Sequence, residues 1–333
     1  MSDDPTTEPQ QEAALGTMVG VQLDALDGPP QRVPKVVAIV INYNGKDVTL
    51  QTLESLGGLD YAELEIVVVD NGSNDGSSEA VAEWYPNVTQ LRKEVNEGVA
   101  AGMNVGVAHA LEGDCDYLLI LNNDIEVAPS MVSELVEVAE SNNSVGCVGP
   151  KAYYYWDRER LWSTGGILRY RESVTVERGM GEEDSGQYDK VQEVDYVNGC
   201  AMLVRRQVME RVGPFDPLYF VGIEDADWCM RMKRLGYRCA YTPHAVLWHM
   251  VSHTLGTYTT GRTFQTGRST AIFVRRHGDA WQKARFLFFM LLAAPSAYLR
   301  ELGKGNEEAA RNKWRGFMDG LRTPLASPPS HGS

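Results

Sequence analysis

A series of short apolar runs between Lys35 and Pro150 constrains this chain more than any other feature. VVAIVIN (36–42), LEIVVVD (64–70), VTQLRK (88–93), DYLLILN (116–122) and VGCVG (145–149) are rich in β-branched residues and Leu. Helical patterns at 46–57, 77–84, 98–111 and 129–141 separate them. Strands that are apolar throughout need cover on both faces, so their alternation with helices predicts an α/β fold around a mostly parallel sheet. Right-handed crossovers then gather the strand C-termini on one edge, where open sheets of this kind bind ligands.

That edge is polar. The runs end in Asn42-Tyr43-Asn44-Gly45, in Asp70-Asn71-Gly72-Ser73, in Asn96-Glu97-Gly98 and in Asn122-Asn123-Asp124. Each turn is ordinary alone, because turns favour Asn, Asp and Gly. Four in succession make a rim suited to a nucleotide. The chain has neither GxxxxGK[ST] nor a GxGxxG after its first strand, which argues against a phosphate-loop ATPase or an ordinary dehydrogenase. Any diphosphate must be neutralised by a metal or by side chains.

Beyond 150 the pattern loosens. Residues 151–195 carry Tyr153, Tyr154, Tyr155, Trp156 and Trp162, and read as strands and loops beside an acceptor site, with a surface β-meander as the plainer alternative. VNGCAMLVRR (197–206), a short helix, GPFDPLYF (213–220) and GIEDADWCMRMKRLGY (222–237) follow. The last predicts a helix with Trp228, Met232 and Leu235 on its buried side and three acids at its start.

A length of 333 residues suits one large α/β domain or two domains. The net charge of −14 makes a general nucleic-acid binder a poor reading, because phosphate attraction needs clustered cations. Five cysteines without a CxxC pair argue against a disulfide framework and for a reducing compartment. No signal peptide is read at the start, and no run reaches the roughly 18 apolar residues of a spanning helix. The charge is uneven: −5 over 1–34, −16 over 35–261 and +7 over 262–333. Residues 1–34, rich in Pro, Gln and acids, read as a disordered leader.

Taken in order, VVAIVINYN, EIVVVDNGSNDGS, NEGVAAGMNVGV, LLILNNDIEV, VNGCAMLVRR and GIEDADWCMRMKRLGY with a downstream WH resemble the family 2 glycosyltransferases across roughly 36–255. Among these the chain is most similar to the rhamnosyltransferase-like branch acting on cell-surface polysaccharide precursors. The resemblance implies a GT-A fold, Rossmann-like with helices on both faces of the sheet, and here a helical C-terminal extension. It divides the chain into a catalytic domain at 35–260, with a nucleotide-binding half (35–150) and an acceptor half (151–260), and a basic tail at 261–333. It also implies an inverting transfer from a nucleoside diphosphate sugar, assisted by Mg²⁺ or Mn²⁺, to a hydroxyl of a glycan or lipid-linked saccharide.

The site residues follow from the same resemblance, each beside a plainer reading. Asp124 is the expected metal ligand, since a hard cation sharing the charge of a departing diphosphate suits a carboxylate; the alternative is a helix cap. The usual DxD stands here as Asn122-Asn123-Asp124, with an amide in place of its first carboxylate. His249, after Trp248, is the second metal candidate, although a lone His is more often structural. Tyr43 would stack on the base and Asp70 would accept its ring N–H, while Asp70 is equally suited to close an Asx turn. Asn44, Asn96, Gly98, Asn104, Asn122 and Asn123 are expected to line the donor pocket, and Arg268 to contact the diphosphate. Asp225 is the expected base, with neighbouring acids raising its pKa; alternatively the acids merely suit a helix N-terminus. Asn198, Gly199, Glu224, Asp227 and Trp228 would shape the acceptor and sugar pocket.

In the tail, WQKARFLFFMLLAAPSAYLREL (281–302) holds a fourteen-residue apolar run broken by Pro295 and flanked by Arg275, Arg276, Lys283, Arg285, Arg300 and Lys304. Such a segment suits an anionic membrane interface, and places the protein in the cytoplasm, peripherally bound to the inner face of the cell membrane. A buried helix pair or a homo-oligomer interface is the alternative. Two rival functions stay open: a sugar nucleotidylyltransferase, and a non-catalytic glycan- or nucleotide-binding module. The residues leave the donor open between dTDP-rhamnose, which the resemblance alone supplies, and UDP-sugars.

Overall fold

The computed structural model describes residues 32–171, 173–251, 260–303 and 306–325, with only the helical course given from 293 to 303. The predicted leader therefore lies almost wholly outside the described residues, as do the side chains of Arg300 and Lys304. The first half runs β1 (Val36–Asn42), α1 (Lys46–Leu56), β2 (Leu64–Asp70), α2 (Ser77–Trp84), β3 (Thr89–Arg92), α3 (Val99–Glu112), β4 (Tyr117–Asn122), β5 (Ile125–Val127), α4 (Met131–Ser141). Then come β6 (Val145–Tyr154), β7 (Asp157–Ser163), β8 (Gly166–Leu168), β9 (Thr175–Glu177), β10 (Gln192–Val194) and β11 (Ala201–Arg205). The order closes with α5 (Arg206–Val212), α6 (Glu224–Arg234), β12 (Arg238–His249), α7 (Thr260–His277), α8 (Ala280–Gly303) and α9 (Glu307–Arg322).

The main sheet has the order β3-β2-β1-β4-β11-β6-β12-β10. Its first four strands are parallel, and β12 is parallel to β6. The β11 strand runs against both β4 and β6. Register sets the polar edge: Asn42 pairs with Asp70, and Ile41 with Asn122, so three strand ends finish together. Because β11 enters in reverse, the turn before it, Asn198-Gly199-Cys200, reaches the same edge, with Ala201 opposite Leu121.

The apolar runs are buried on both faces, as their composition requires. One layer joins Ile39, Val67 and Ile120 to α3, α5, α6 and α7 through Met103, Met209, Trp228 and Phe273. The other joins Val40, Val68 and Leu119 to α1, α2 and α4 through Leu53, Val81 and Leu135. The loosely patterned stretch after 150 forms the antiparallel β6–β7 pair and the small β8–β9 hairpin. One burial expectation fails: Leu235 is exposed, because α6 ends at Arg234 and Leu235 sits at its C-cap.

The C-terminal helices are not a detached tail. Ala271, Ile272, Phe273 and Val274 of α7 belong to the same core as the sheet. A Cβ on Gly267 would strike the Lys313 carbonyl, and one on Gly316 the Phe264 carbonyl, so α7 and α9 cross almost backbone to backbone. Arg275 donates to the Gly320 and Thr323 carbonyls at 2.6 and 2.7 Å, closing the C-terminal end of α9.

An ion cluster ties this unit to α6. Asp227 is fully buried and bonded to Arg231 at 2.9 Å, to Arg276 at 3.1 Å and to His277 at 2.7 Å. The Tyr219 hydroxyl donates to it at 3.1 Å, and Arg276 also pairs with Asp216 at 2.6 Å. Burial alone would raise the Asp227 pKa, but His277, Arg231 and Arg276 hold it well below the usual carboxylate range. Arg234 can only donate to Nδ1 of His277, so the ring proton sits on Nε2 and points at Asp227. Burial correspondingly lowers the His277 pKa. Asp227→Asn leaves buried cations without their counter-charge and is expected to cost about 3–5 kcal/mol, measured by urea denaturation of the two forms.

Candidate active site

The strand ends are stitched together before any ligand is considered. Asn42 accepts from the Gly45 amide and the Thr49 hydroxyl, and its amide group donates to Ser73 at 3.2 Å. Asn44, at φ 50°, accepts from the Asn74 amide, joining the turn after β1 to the turn after β2. Tyr43 stands between them, half-buried. Asp70 is buried; one oxygen accepts the Ser73 amide at 2.7 Å and the other the Ser78 hydroxyl. It closes the turn anticipated as its plainer role.

Three expected donor residues are engaged elsewhere. Asn123 turns inward, donating to Asn42 at 2.9 Å and Thr49 at 2.8 Å, and so fixes the end of β4 to α1. Asn104 clamps the Phe215 backbone through both ends of its amide, at 2.8 Å each. Arg268 holds Asp319 of α9 at 2.9 Å and the Leu218 carbonyl at 2.5 Å. Asn96 accepts from the Gly98 and Asn71 amides, shaping the loop before α3. Gly98 does permit a close approach, at φ 94°, but to the protein itself: a Cβ there would meet the backbone of Phe220. The Val99 amide donates to that same Phe220 carbonyl at 2.7 Å.

Asp124 and His249 do meet. The β5–β12 pair sets His249 opposite Ile125, and Nε2 of His249 lies 3.1 Å from an Asp124 oxygen. Both residues are buried, and Trp162 packs edge-on against the imidazole. That separation is a hydrogen bond between the two, and it also lies close to the spacing of two neighbouring ligands of an octahedral cation with bonds of about 2.1 Å. Nδ1 of His249 is buried without a hydrogen-bond partner among the described residues. The pair offers a hard divalent cation one carboxylate oxygen and one imidazole nitrogen. Asn122, two residues before Asp124, is half-buried, and its backbone N–H donates to the Cys200 carbonyl at 3.1 Å.

The acids of α6 divide between two faces. Asp225 keeps an opening to solvent and accepts the Gly199 amide at 2.9 Å, so the VNG turn and the helix start are joined. Burial first, and the Glu177 carboxylate after it, push the Asp225 pKa well above the usual range. Glu224 is raised in the same direction, by burial and then by Asp225, and one of its oxygens is buried without a hydrogen-bond partner among the described residues. Desolvation is thus the larger cause, and the carboxylate that adds to it is Glu177 rather than a neighbour within the motif. The helix is entered through Gly222 and Ile223, both left-handed at φ 80° and 76°. That is an uncommon state for a β-branched residue.

Two residues expected in the acceptor pocket are not there. Asp227 faces the ion cluster described above. Trp228 is fully buried against Phe215 and donates to the Gly213 carbonyl at 2.9 Å. A residue that sequence reasoning missed takes part instead: Glu177, at the end of β9, accepts from Asn198 at 2.9 Å and from Tyr196 at 2.7 Å. It lies in an aperiodic stretch and carries no motif, so no signal in the sequence marked it.

This arrangement is the GT-A fold: a mostly parallel sheet whose polar edge carries a carboxylate–imidazole pair and a second, separate carboxylate site. A mannosyltransferase from Pyrobaculum calidifontis, solved with GDP-mannose and Mn²⁺, superposes with a TM-score of 0.56 at 19% identity, covering 88% of each chain. The glycosyl transferase family 2 model matches residues 37–213, and the chain belongs to that family. It is a glycosyltransferase. The N-acetylglucosaminyl-diphospho-decaprenol L-rhamnosyltransferase of Mycobacterium tuberculosis is 25% identical over 280 residues, 74% of this chain and 86% of the relative. A dTDP-rhamnosyl transferase of Shigella flexneri is 23% identical over 230 residues, 65% and 69% of the two. Family membership decides against the nucleotidylyltransferase and binding-module alternatives.

Proposed function

We propose that the chain is an inverting, metal-assisted glycosyltransferase that moves a sugar, with dTDP-rhamnose as the first donor to test, onto a hydroxyl of a lipid-linked saccharide in cell-surface polysaccharide synthesis. The observation that carries this reading is the position of Asp225. Its carboxylate is fixed by the Gly199 amide, and the same VNG turn bonds the end of β4 through Cys200 and Asn122. The base and the donor end of the sheet are thereby held to one turn.

Asp225 would take the proton of the acceptor hydroxyl as its oxygen attacks the anomeric carbon, while the diphosphate departs from the opposite face with the bonding electrons. A carboxylate with a raised pKa holds that proton more readily than an ordinary one. Tyr43 would offer a stacking face to the base of the donor, and Asp70 would present the rim of the turn that bounds it. Asp124 and His249 would hold Mg²⁺ or Mn²⁺. The cation would share the charge that develops on the diphosphate. The rhamnosyl donor rests on the activities of the mycobacterial and Shigella relatives, and the polyprenyl-linked acceptor on that of the mycobacterial one.

Membrane contact belongs to the same reading. Trp281, Leu287, Phe288, Leu291 and Leu292 of α8 are exposed, beside an exposed Lys283 and a half-buried Arg285. Of the cations expected to flank this run, Arg276 is instead buried in the Asp227 cluster, and Arg275 is spent on the end of α9. No helix among the described residues is long and apolar enough to cross a membrane. The exposed face would lie in the interface of an anionic leaflet on the cytoplasmic side. A homo-oligomer interface is the other outcome of the same test.

Asp225→Asn is expected to abolish transfer while nucleotide-sugar affinity survives, read by product release and by calorimetry. In the unaltered enzyme the acid limb of kcat/KM against pH should fall above the usual carboxylate range, because protonated Asp225 cannot act as the base. Asp124→Asn and His249→Ala should each raise the Mn²⁺ concentration needed for half-maximal turnover by roughly tenfold or more. Leu287→Glu with Leu291→Glu should abolish sedimentation with phosphatidylglycerol vesicles and leave turnover of soluble substrates unchanged. Sedimentation equilibrium shows whether the same change dissociates a dimer instead.

A further inference from the structure

Outside the motifs of the family, one carboxylate reaches into the acceptor side of the site. Glu177 ends β9 and accepts from three donors: the Ser163 hydroxyl on one oxygen, and the Tyr196 hydroxyl and the Asn198 amide group on the other. The adjacent Arg178 turns the other way. Buried, it donates to the Thr164 hydroxyl at 3.0 Å and to the Thr164 carbonyl at 2.5 Å, and lies over the rings of Tyr188 and Tyr241. The β8–β9 hairpin is thus anchored from behind by Arg178 while Glu177 projects toward the VNG turn.

The turn passes this constraint on. Asn198 gives its amide group to Glu177 and accepts the Cys200 amide at 2.7 Å, which closes an Asx turn around Gly199. The Gly199 amide, aimed by that turn, donates to Asp225 at 2.9 Å. The Cys200 carbonyl accepts the Asn122 amide. A Cβ on Gly199 would approach Asp225 and Met103, so the turn is also seated closely against the helix.

We infer that Glu177 is a positioning residue for the transfer: through Asn198 it fixes the turn whose Gly199 amide orients the Asp225 carboxylate. This rests on Asp225 being the base. It adds an element that the acceptor half supplies from outside the VNG and Glu224-Asp225 motifs. Glu177 also acts through its charge. The groups facing Asp225 are Glu177 from β9, Glu224 beside it, Cys229 one turn along α6 and the Tyr196 hydroxyl before the turn. Glu177 is the charged one among these that belongs to neither α6 nor the VNG turn.

Glu177→Gln separates the two effects, because the amide oxygen still accepts from Tyr196 and Asn198 while the charge is gone. Turnover is read as nucleoside diphosphate release, using whichever of dTDP-rhamnose, UDP-glucose, UDP-N-acetylglucosamine and GDP-mannose the unaltered enzyme hydrolyses or transfers fastest with Mn²⁺. The acid limb of kcat/KM should move to lower pH by about half a unit or more, since removing a nearby negative charge lowers the pKa of the base. Glu177→Ala also releases Asn198, and kcat should fall between about tenfold and about a hundredfold with donor affinity unchanged. Wild-type kcat in a folded Ala variant would overturn the positioning role, and an unmoved pH profile in a folded Gln variant would overturn the charge effect; loss of donor affinity in either variant would overturn the inference. If the Ala variant does not fold, Asn198→Ala, which cuts the same link from its other side, is read in its place. Asp225→Asn is measured alongside: if it retains turnover, the assignment of the base fails, whereas an inactive Asn variant beside an unaffected Ala variant removes Glu177 only.

Discussion

The structure depends on a buried carboxylate that does no chemistry. Asp227 gathers Arg231 from its own helix, Arg276 and His277 from α7, and the Tyr219 hydroxyl from the loop before α6. Such a cluster stabilises only when every charge is answered, since a single unpaired ion in a dry interior costs several kcal/mol. Here the partners come from three stretches of chain, so the condition is met in one arrangement of α6 against α7. Asp225, two residues away, inherits that arrangement. One helix start thus supplies an immobile acid for the fold and a solvent-reaching acid, the proposed base, separated by its pitch.

The two acids also differ in the direction of their pKa shifts, for reasons visible in their neighbours. Asp227 is surrounded by donors and cations and stays ionised. Asp225 has one amide donor, a nearby Glu177 and Glu224 beside it, and is pushed the other way. Burial acts on both. What distinguishes them is whether the surrounding groups replace the lost water.

The parallel half of the fold was legible because it follows from composition. A strand such as VVAIVIN cannot be solvated on either face, and β1, β2 and β4 appear within a residue of the runs that announced them. The meeting of Asp124 with His249 was legible through motif order, although 125 positions separate them and only β5–β12 pairing explains it. Residue type was a poorer guide to orientation. Asn123 and Asn104 are polar residues near the rim, yet both serve the backbone. Asp227 and Trp228 share a motif with Asp225 but face away from it, because consecutive helical positions are about 100° apart. Glu177 could not be read at all: a short hairpin brings it to Asn198, with no periodicity to forecast it.

The crossing of α7 and α9 through Gly267 and Gly316 bears on how the C-terminal region can be dissected. Trimming the chain before α9 would bare a helix whose backbone is shaped to touch another and would strip Arg275 of the carbonyls it closes. The disturbance would travel along α7 to Arg276 and His277, and from there to the helix that carries Asp225. Deletion would therefore confound the proposed surface attachment with a disturbance of the Asp225 helix, and the outward face of α8 is separable from the rest only one side chain at a time.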